Sequence, residues 1–349
     1  MKKIIIFGLA GCLMLLASTH PAEAAVSESA VLFLKISPGG RYGGMGEAGV
    51  ALTDDASATW WNPAGLGFQN QRQITMMHAN WLPQFHLPDL YYDFISYVHT
   101  VPELGTFGAN VIFLNLGTST RTDEQGNEQG TFSTYEGALS GSYGTQINKN
   151  TALGISARFI YSHLSDRGAG AEKGSGVATG VGVDIGVLHK MTMIKGLQLG
   201  ANISNLGPKI SYIDAAQADP IPTNLKMGFA YHVLDSEFNK LTVLGDIDKE
   251  LVRKKPDGTS DPFYVALVSS WFDEPLLQEM IYHVGTEYWY TNLVGLRMGY
   301  WNDQQGKVKP LTFGASLQYS VYRFDFSYVS AGEGHPLTDT MRFSLSIGL

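Results

Sequence analysis

From about residue 72 to the end of the chain, apolar side chains recur at every second position. Leu153, Ile155, Ala157, Phe159 and Tyr161 alternate with Gly154, Ser156, Arg158, Ile160 and Ser162. Val181, Val183, Ile185 and Val187 alternate with Gly180, Gly182, Asp184 and Gly186, and Leu197, Leu199, Ala201 and Ile203 with Gln198, Gly200, Asn202 and Ser204. The same period returns in Leu225–Val233, Leu311–Val321 and Met341–Leu349. A period of two gives a strand one apolar face and one polar or small face. Several runs continue for about ten residues, the length a tilted strand needs to cross a bilayer, whereas strands of a soluble sandwich average about 5–6.

The pattern predicts strands at 72–81, 91–101, 105–115, 131–146, 151–163, 176–189, 196–205, 223–234, 240–250, 281–290, 292–302, 311–320, 321–329 and 339–349. Their number is even, as a closed barrel with both ends on one side requires. Connections after even strands are short, for example Val101 to Gly105 and Ile147 to Asn150; those after odd strands are longer: 116–130, 164–175, 206–222, 251–280, 303–310 and 330–338. Short turns on one side and long loops on the other are the pattern of an outer-membrane barrel. Residues 262–272 also read as a strand, but counting them breaks the parity; they are assigned to the long 251–280 loop, with a short helix at Glu274 to Met280. The expected fold is an all-β transmembrane antiparallel barrel of about 14 strands.

Residues 26–70 do not alternate. Ser29 can cap a short helix through Ile36. The glycine-rich stretch Pro38–Gly49 and then Asp54–Leu66 follow, where small residues let backbone approach backbone. In front of a barrel this composition suits a segment folded into the lumen as a plug. The expected domains are a signal peptide (1–24), a hatch (25–70) and a barrel (71–349). The plug residues singled out are Arg41, Gly44, Gly46, Trp60, Trp61, Asn62 and Pro63.

The leader reading rests on Lys2 and Lys3, the apolar run Ile4 to Ala17, and the small-x-small site Ala22-Glu23-Ala24, which predicts Sec-type export and cleavage after Ala24. Leu9-Ala10-Gly11-Cys12 resembles a lipobox, but the apolar run continues through Leu16, where a lipobox closes. Cys12 is the one cysteine, so the mature chain has neither a disulfide framework nor a thiol catalyst. The net charge of −8 argues against nucleic-acid binding, which wants a basic stripe. Forty glycines with abundant Phe and Tyr suit many short twisted strands.

Candidate chemistry is sparse. Gly44-Met45-Gly46-Glu47-Ala48-Gly49 has the spacing of a dinucleotide loop but lacks the strand before it and the helix after it. No nucleophile elbow, zinc-protease motif or ligand-spaced histidine set occurs, so no catalytic residue, cofactor or metal is expected. Arg158, Asp184, Lys226, Asp246, Asp248, Glu287, Arg297, Arg323 and Asp325 fall on the lumen-facing period. A charge facing lipid costs about 2–4 kcal/mol for Arg or Lys at mid-depth, which drives them inward as an ion-pair network or a polar passage. Trp81, Tyr91, Tyr92, Trp271, Tyr288, Trp289, Tyr290, Tyr300 and Trp301 read mostly as interfacial girdle residues. Trp271, Phe272, Leu276 and Leu277 form an apolar group in the 251–280 loop. With 206–222, that loop is the expected surface for a protein partner, or these residues fold down as a cap.

Phe33-Leu34, Arg41, Gly44-Met45-Gly46, Gly49-Val50-Ala51, Asp55-Ala56 and Trp61-Asn62-Pro63-Ala64 resemble the N-terminal signature of the PorV/PorQ family. Gly245–Leu251, Gly285–Tyr290, Leu296–Tyr300 and Leu337–Leu345 are similar to its later strands. The resemblance spans essentially the whole mature chain. It implies a fourteen-stranded FadL-like barrel with an N-terminal hatch, in the outer membrane. Its partners would be outer-membrane lipid, type IX secretion proteins, and secreted substrates recognised by their C-terminal signal domains and passed on for surface attachment. The alternative is a FadL-like channel for a hydrophobic small-molecule ligand. Gly65-Leu66 is a continuation also found in FadL-like hatches. The chain ends in Leu349 where many barrels end in an aromatic, but Leu349 keeps the alternation.

Overall fold

The computed structural model describes residues 29–123, 125–166, 175–213, 217–255, 257–272 and 276–349. The leader, its cleavage site and Cys12 lie outside the described residues. Among these residues fourteen antiparallel strands close into one barrel, β1 pairing with β14. They are β1 (Arg72–Asn80), β2 (Leu90–Val101), β3 (Gly105–Thr122), β4 (Glu128–Asn148), β5 (Thr151–His163), β6 (Val177–Lys190) and β7 (Leu197–Leu206). The circuit continues with β8 (Asn224–Asp235), β9 (Asn239–Glu250), β10 (Met280–Tyr290), β11 (Val294–Asn302), β12 (Leu311–Tyr319), β13 (Tyr322–Ser330) and β14 (Thr340–Gly348). The Leu349 amide still donates to the Arg72 carbonyl at 2.9 Å, so the last residue belongs to the closing ladder.

The alternation sorts side chains to two faces. Ile95, Val111, Leu139, Ile155, Phe159, Val181, Met227, Leu296, Phe313 and Phe343 point outward and are exposed. Thr75, Ser96, Asn110, Ser142, Arg158, Asp184, Asp246, Glu287 and Arg297 point inward and are buried. An apolar outside around a polar inside is the inverse of a soluble barrel and suits lipid as the solvent. No helix among the described residues is long and apolar enough to cross a membrane.

Connections after even strands are short turns and those after odd strands are mostly longer loops; the two ends of the barrel are called here the turn end and the loop end. The expected 116–130 loop shrinks to 123–127, because β3 and β4 continue as a hairpin well past their neighbours. Asp123 Oδ1 accepts from the amides of Gln125 and Asn127, which tightens the turn, and the Arg121 guanidinium lies 5.5 Å from the Phe132 ring centroid. Residues 263–272 are helical, as a short helix (Phe263–Ser269) and a 3-10 turn (Ser270–Phe272). Of the helix expected over Glu274 to Met280, Glu274 lies outside the described residues, Leu276–Glu279 form one helical turn, and Met280 already opens β10.

Residues 29–70 lie against the inner face of the strands. They form 3-10 turns at Leu32–Lys35 and Pro63–Phe68 and single helical turns at Gly40–Gly43 and Ala58–Trp61. Pro63 opens its turn, and the Asn62 side chain caps it by accepting from the Ala64 amide at 3.0 Å.

Candidate functional site

The barrel interior holds nearly every charged inward residue, and segment 29–70 completes their pairing. Arg41 donates through Nε and Nη2 to the two Glu287 oxygens at 2.8 and 2.7 Å, through Nη1 to Asp55 at 3.2 Å, and also pairs with Asp54. Glu287 is shared with Arg297 at 2.7 Å, Asp55 with Arg323 at 2.6 Å, and Asp325 meets Arg323 at 3.0 Å and Arg297 at 3.4 Å. Burial alone would raise the Asp55 carboxyl, but the Arg323 and Arg41 guanidiniums outweigh it and bring it down to about 2. Burial disfavours the Arg41 charge, yet Asp54 and Glu287 hold it well above the usual arginine range.

Polar wall side chains also take up backbone groups that the short turns of the segment leave free. Asp246 accepts from the amides of Gly49 and Val50 at 2.7 and 2.9 Å. Ser344 Oγ accepts from Gly40 at 2.7 Å and Thr312 Oγ1 from Gly46 at 2.9 Å. His283 Nδ1 lies 2.8 Å from the Gly46 carbonyl, and Arg342 pairs with Glu47 at 2.6 Å. Asn62 bridges the Val50 and Val187 carbonyls at 2.9 and 3.1 Å. Trp61 stacks on Tyr42 with centroids 4.6 Å apart, and Lys226 sits 4.8 Å from its centroid.

The wall is thinned where the segment lies on it. A Cβ on Gly299 would stand 2.0 Å from Gly46 N, one on Gly285 2.2 Å from the Met45 carbonyl oxygen, one on Gly154 2.1 Å from Pro63, and one on Gly186 2.0 Å from Asn62. Only a residue without a side chain allows this approach.

The residues singled out for the hatch lie against the inner face of the strands. Arg41 is the hub, Gly44 and Gly46 lie against Gly314 and Gly299, Trp61 and Asn62 tie turns together, and Pro63 rests on Gly154. Of the nine charges assigned to the lumen face, eight form ion pairs there: Arg158 with Asp184 at 2.8 Å, Lys226 with Asp248 at 3.0 Å, and Glu287, Arg297, Arg323 and Asp325 as above, while Asp246 accepts from backbone amides instead. Sequence reasoning missed Asp55, Glu47 and Arg342, and it missed the wall glycines. The signal for those glycines was present: Gly154, Gly186, Gly285 and Gly299 all occupy inward positions of the alternation.

At the loop end an apolar cluster joins Val31, Phe33 and Leu34 to Tyr92, Phe94, Ile112 and Ile160. In the 206–222 loop, expected as an external surface, the described stretches around Ile210 and Ile221 fold inward. The β6–β7 register shifts at Asn205, whose φ is 58° and whose amide donates to Asp184 at 2.8 Å. Ile210 and Ile221 then bury in the same cluster, and the Pro220 carbonyl accepts from Ala30 at 2.9 Å. Buried apolar side chains win over exposure here because β6 presents Gly180 beside Ile210 and Gly182 beside Ile221.

Beside the cluster lies a cavity of about 90 Å³, bounded by segment 29–70 and the inner faces of β7 to β11. Trp60, Trp61, Trp301, Asn202, Lys226, Asp248 and His283 line it. Tyr92 and Trp301, expected in the girdle, are thus buried inward, and Trp289 faces Arg297 inside at 5.4 Å. An outward row running through Tyr91, Phe113, Tyr135 and Tyr161, each centroid pair about 6 Å apart, is a girdle.

The 251–280 loop divides in two. Leu251 and Ala266 are buried, and Trp271 is half-buried with its indole N–H donating to the Leu267 carbonyl at 3.1 Å. Tyr264, Val268, Phe272 and Leu277 are exposed, Phe272 at 73%. Tyr264 and Val268 lie four residues apart on one face of the helix, and Phe272 ends the 3-10 turn that follows it. Of the expected contact group, Phe272 and Leu277 are available to a partner, whereas Trp271 and Leu276 are partly covered.

The family model described as type IX secretion system protein PorV matches residues 19–257. No curated protein matches. Among solved structures, the Pseudomonas putida toluene transporter TodX is 15% identical, with 89% of this chain and 96% of that chain covered and a TM-score of 0.55. The Ralstonia pickettii toluene transporter TbuX is 14% identical over 89% and 98%, with a TM-score of 0.53. A Pseudomonas aeruginosa FadL homologue is 13% identical over 87% and 96%, at 0.48. At these identities the likeness speaks for the barrel fold alone.

Proposed function

We propose, from the premise that this chain belongs to the PorV family of type IX secretion proteins, that it is an outer-membrane barrel which binds secreted substrates at its loop end and delivers them for surface attachment. The recognised element would be the substrates' C-terminal signal domain. One observation supports the placement of the contact: the exposed apolar side chains Tyr264, Val268, Phe272 and Leu277 in the 251–280 loop, in a barrel against whose inner face segment 29–70 packs. Exposed apolar groups rimmed by polar loop residues mark contact surfaces. A lumen this occupied has no room for a folded protein, so a substrate would meet the rim.

In this reading residues 25–70 act as the hatch, 71–349 as the wall, and 1–24 as the leader removed on export. The FadL-like alternative, passage of a hydrophobic molecule, draws its support from the fold shared with hydrocarbon transporters. Against it, the chain's own Val31, Phe33 and Ile210 fill the apolar part of the lumen, and the adjoining cavity is lined with charge.

Affinity purification from native membranes tests the proposal. Wild-type protein should co-isolate secreted proteins sharing one C-terminal domain. The Phe272→Ser/Leu277→Ser variant should assemble a heat-modifiable barrel and lose most of that cargo. Unchanged cargo in this variant would remove the assigned surface, and recovery of only a bound hydrocarbon or fatty acid would favour transport.

A further inference from the structure

We infer that the turn end of the barrel between β4 and β7 is a docking surface for an anionic phospholipid of the leaflet that meets those turns. This goes beyond the secretion reading and does not depend on it; it needs only a barrel set in lipid.

Lys149 stands in the β4–β5 turn and Lys195 in the β6–β7 turn. The two turns are neighbours on the wall. Thr151 faces His189 in the β5–β6 ladder, and the Lys190 amide donates to the Asn150 carbonyl at 2.8 Å. Both lysines are exposed, and neither has an ion pair among the described residues. Lys190 is not part of the surface, because its ammonium lies 3.9 Å from the Phe68 centroid, on the side of segment 29–70. The chain carries a net charge of −8, yet residues 137–165 and 185–213 contain no Asp or Glu. The flanking turns differ: Glu103 lies in the β2–β3 turn, and Asp235 and Glu237 lie at the β8–β9 turn. One sector of the turn end is therefore basic and free of carboxylates, and its complement is an anion.

The apolar rim says which anion. Outward side chains stay apolar and exposed down to the turns themselves: Ile147 at the end of β4, Leu153 on β5, Val187 on β6 and Leu199 on β7. Met193, 90% exposed, and Ile194 continue them into the β6–β7 turn. The edge of the hydrocarbon therefore falls at the turns, and the lysines stand at the height of the lipid phosphates. A lysine stem covers apolar surface while its ammonium reaches the headgroup layer. At the same height, on the outward face, His189 Nδ1 lies 2.9 Å from Thr151 Oγ1. This pair sets hydrogen-bonding groups beside the ammoniums, where the glycerol and phosphate oxygens of a lipid lie. A free phosphate or a nucleic acid would satisfy the charge and leave the apolar rim in water. A phospholipid supplies both parts, an anionic head for Lys149 and Lys195 and acyl chains for Ile147, Leu153, Val187 and Leu199. Each lysine near an anionic lipid surface strengthens binding by about fivefold.

The test is native mass spectrometry of the full mature barrel, released from detergent after titration with dioleoylphosphatidylglycerol or dioleoylphosphatidylcholine. The wild type should retain phosphatidylglycerol at concentrations where phosphatidylcholine is lost, and an excess of inorganic phosphate should not displace it. The Lys149→Ser/Lys195→Ser variant, checked for heat-modifiability, should bind phosphatidylglycerol about twentyfold to thirtyfold more weakly, two fivefold steps. Lys307→Ser/Lys309→Ser, which removes the same charge from the loop end, should retain the lipid as the wild type does. Equal retention of the two lipids by the wild type would overturn the inference. So would undiminished binding in the folded Lys149→Ser/Lys195→Ser variant, an equal loss in the loop-end variant, or displacement of the lipid by inorganic phosphate.

Discussion

Segment 29–70 meets the inner face of the strands in two regions built on opposite physics. At the loop end, Val31, Phe33 and Leu34 enter the apolar cluster of β2, β3 and β5. Farther toward the turn end, Arg41 and Asp55 enter the ionic network of β10 to β13. Burying a Leu or Phe stabilises by about 1.5–3 kcal/mol wherever a cavity of suitable shape receives it. Burying a charge costs several kcal/mol per ion unless its partners stand in place. The apolar region therefore favours proximity and tolerates sliding, while the ionic region specifies one register. Glycines on the wall sharpen that register, because the backbone of the segment fits only where side chains are missing.

The largest expected break in this arrangement is Gly299→Val. Its Cβ would stand 2.0 Å from Gly46 N, and backbone on both sides leaves nothing flexible to yield. The wall should still close, since the outward faces and ladders are untouched, but the segment should not seat beside β11. Single-channel conductance in planar bilayers should rise, and a protease should cut between residues 39 and 66. Deletion of 39–66 should reproduce the conductance. Wild-type conductance in both variants would mean that the segment does not close the lumen.

Next in size is Glu287→Ala. It leaves Arg41 and Arg297 buried without their shared carboxylate, a loss of about 3–5 kcal/mol for a broken buried pair. The midpoint of the heat-modifiable transition should drop clearly. The Arg41→Ala/Glu287→Ala double variant should lose less than the sum of the two single variants, since neighbours in one network are non-additive. Additive losses would show that the two charges do not act together.

The same contrast explains what was legible in the sequence. Strand number, order and most boundaries followed from the period-two pattern, because lipid outside and a polar filling inside impose it on every strand. The charges of the ionic network were legible as inward residues, since lipid excludes them. Their partners were not, because Asp55 and Glu47 sit in a segment without periodicity and meet Arg323 and Arg342 only through closure of the barrel. The inward fold of 206–222 was hidden for a similar reason. Ile210 and Ile221 lie in a proline-interrupted stretch without a sustained period, and only Gly180 and Gly182, on β6, show where they can go. The β3–β4 hairpin outran its prediction because Thr118 to Thr122 is polar on both faces and lies beyond the lipid-driven alternation.

Acid should loosen the ionic region before the apolar one. The folded Asp55 carboxyl lies at about 2, below its ordinary 3.8. A group depressed in the folded state contributes stability that is full above its ordinary value and disappears as pH falls through the folded value. Stability of the seated segment should thus decline between about pH 4 and pH 2, read as growing conductance or protease sensitivity over that window. Asp55→Asn should start lower and flatten the decline. A wild-type profile unchanged down to pH 2 would remove Asp55 from the latch.

The smallest expected effect is the most direct test of the contrast, because it pairs two conservative substitutions. Leu34→Met keeps volume and apolarity in the cluster, and such exchanges cost less than about 1.5 kcal/mol in packed cores. Methionine's flexible chain can follow the gap left by the branched one. Glu287→Gln keeps shape equally well, yet it removes the charge that Arg41 and Arg297 share. It also presents an NH₂ where both neighbours can only donate. If the apolar region supplies proximity and the ionic region supplies register, Leu34→Met should leave conductance at the wild-type level with a midpoint nearly unchanged. Glu287→Gln should lower the midpoint several times further and give a fluctuating conductance, as the segment samples more than one seating. Equal shifts from the two substitutions, with steady closed channels in both, would mean that the lumen is filled by bulk alone and that the charge network does not choose how the segment sits.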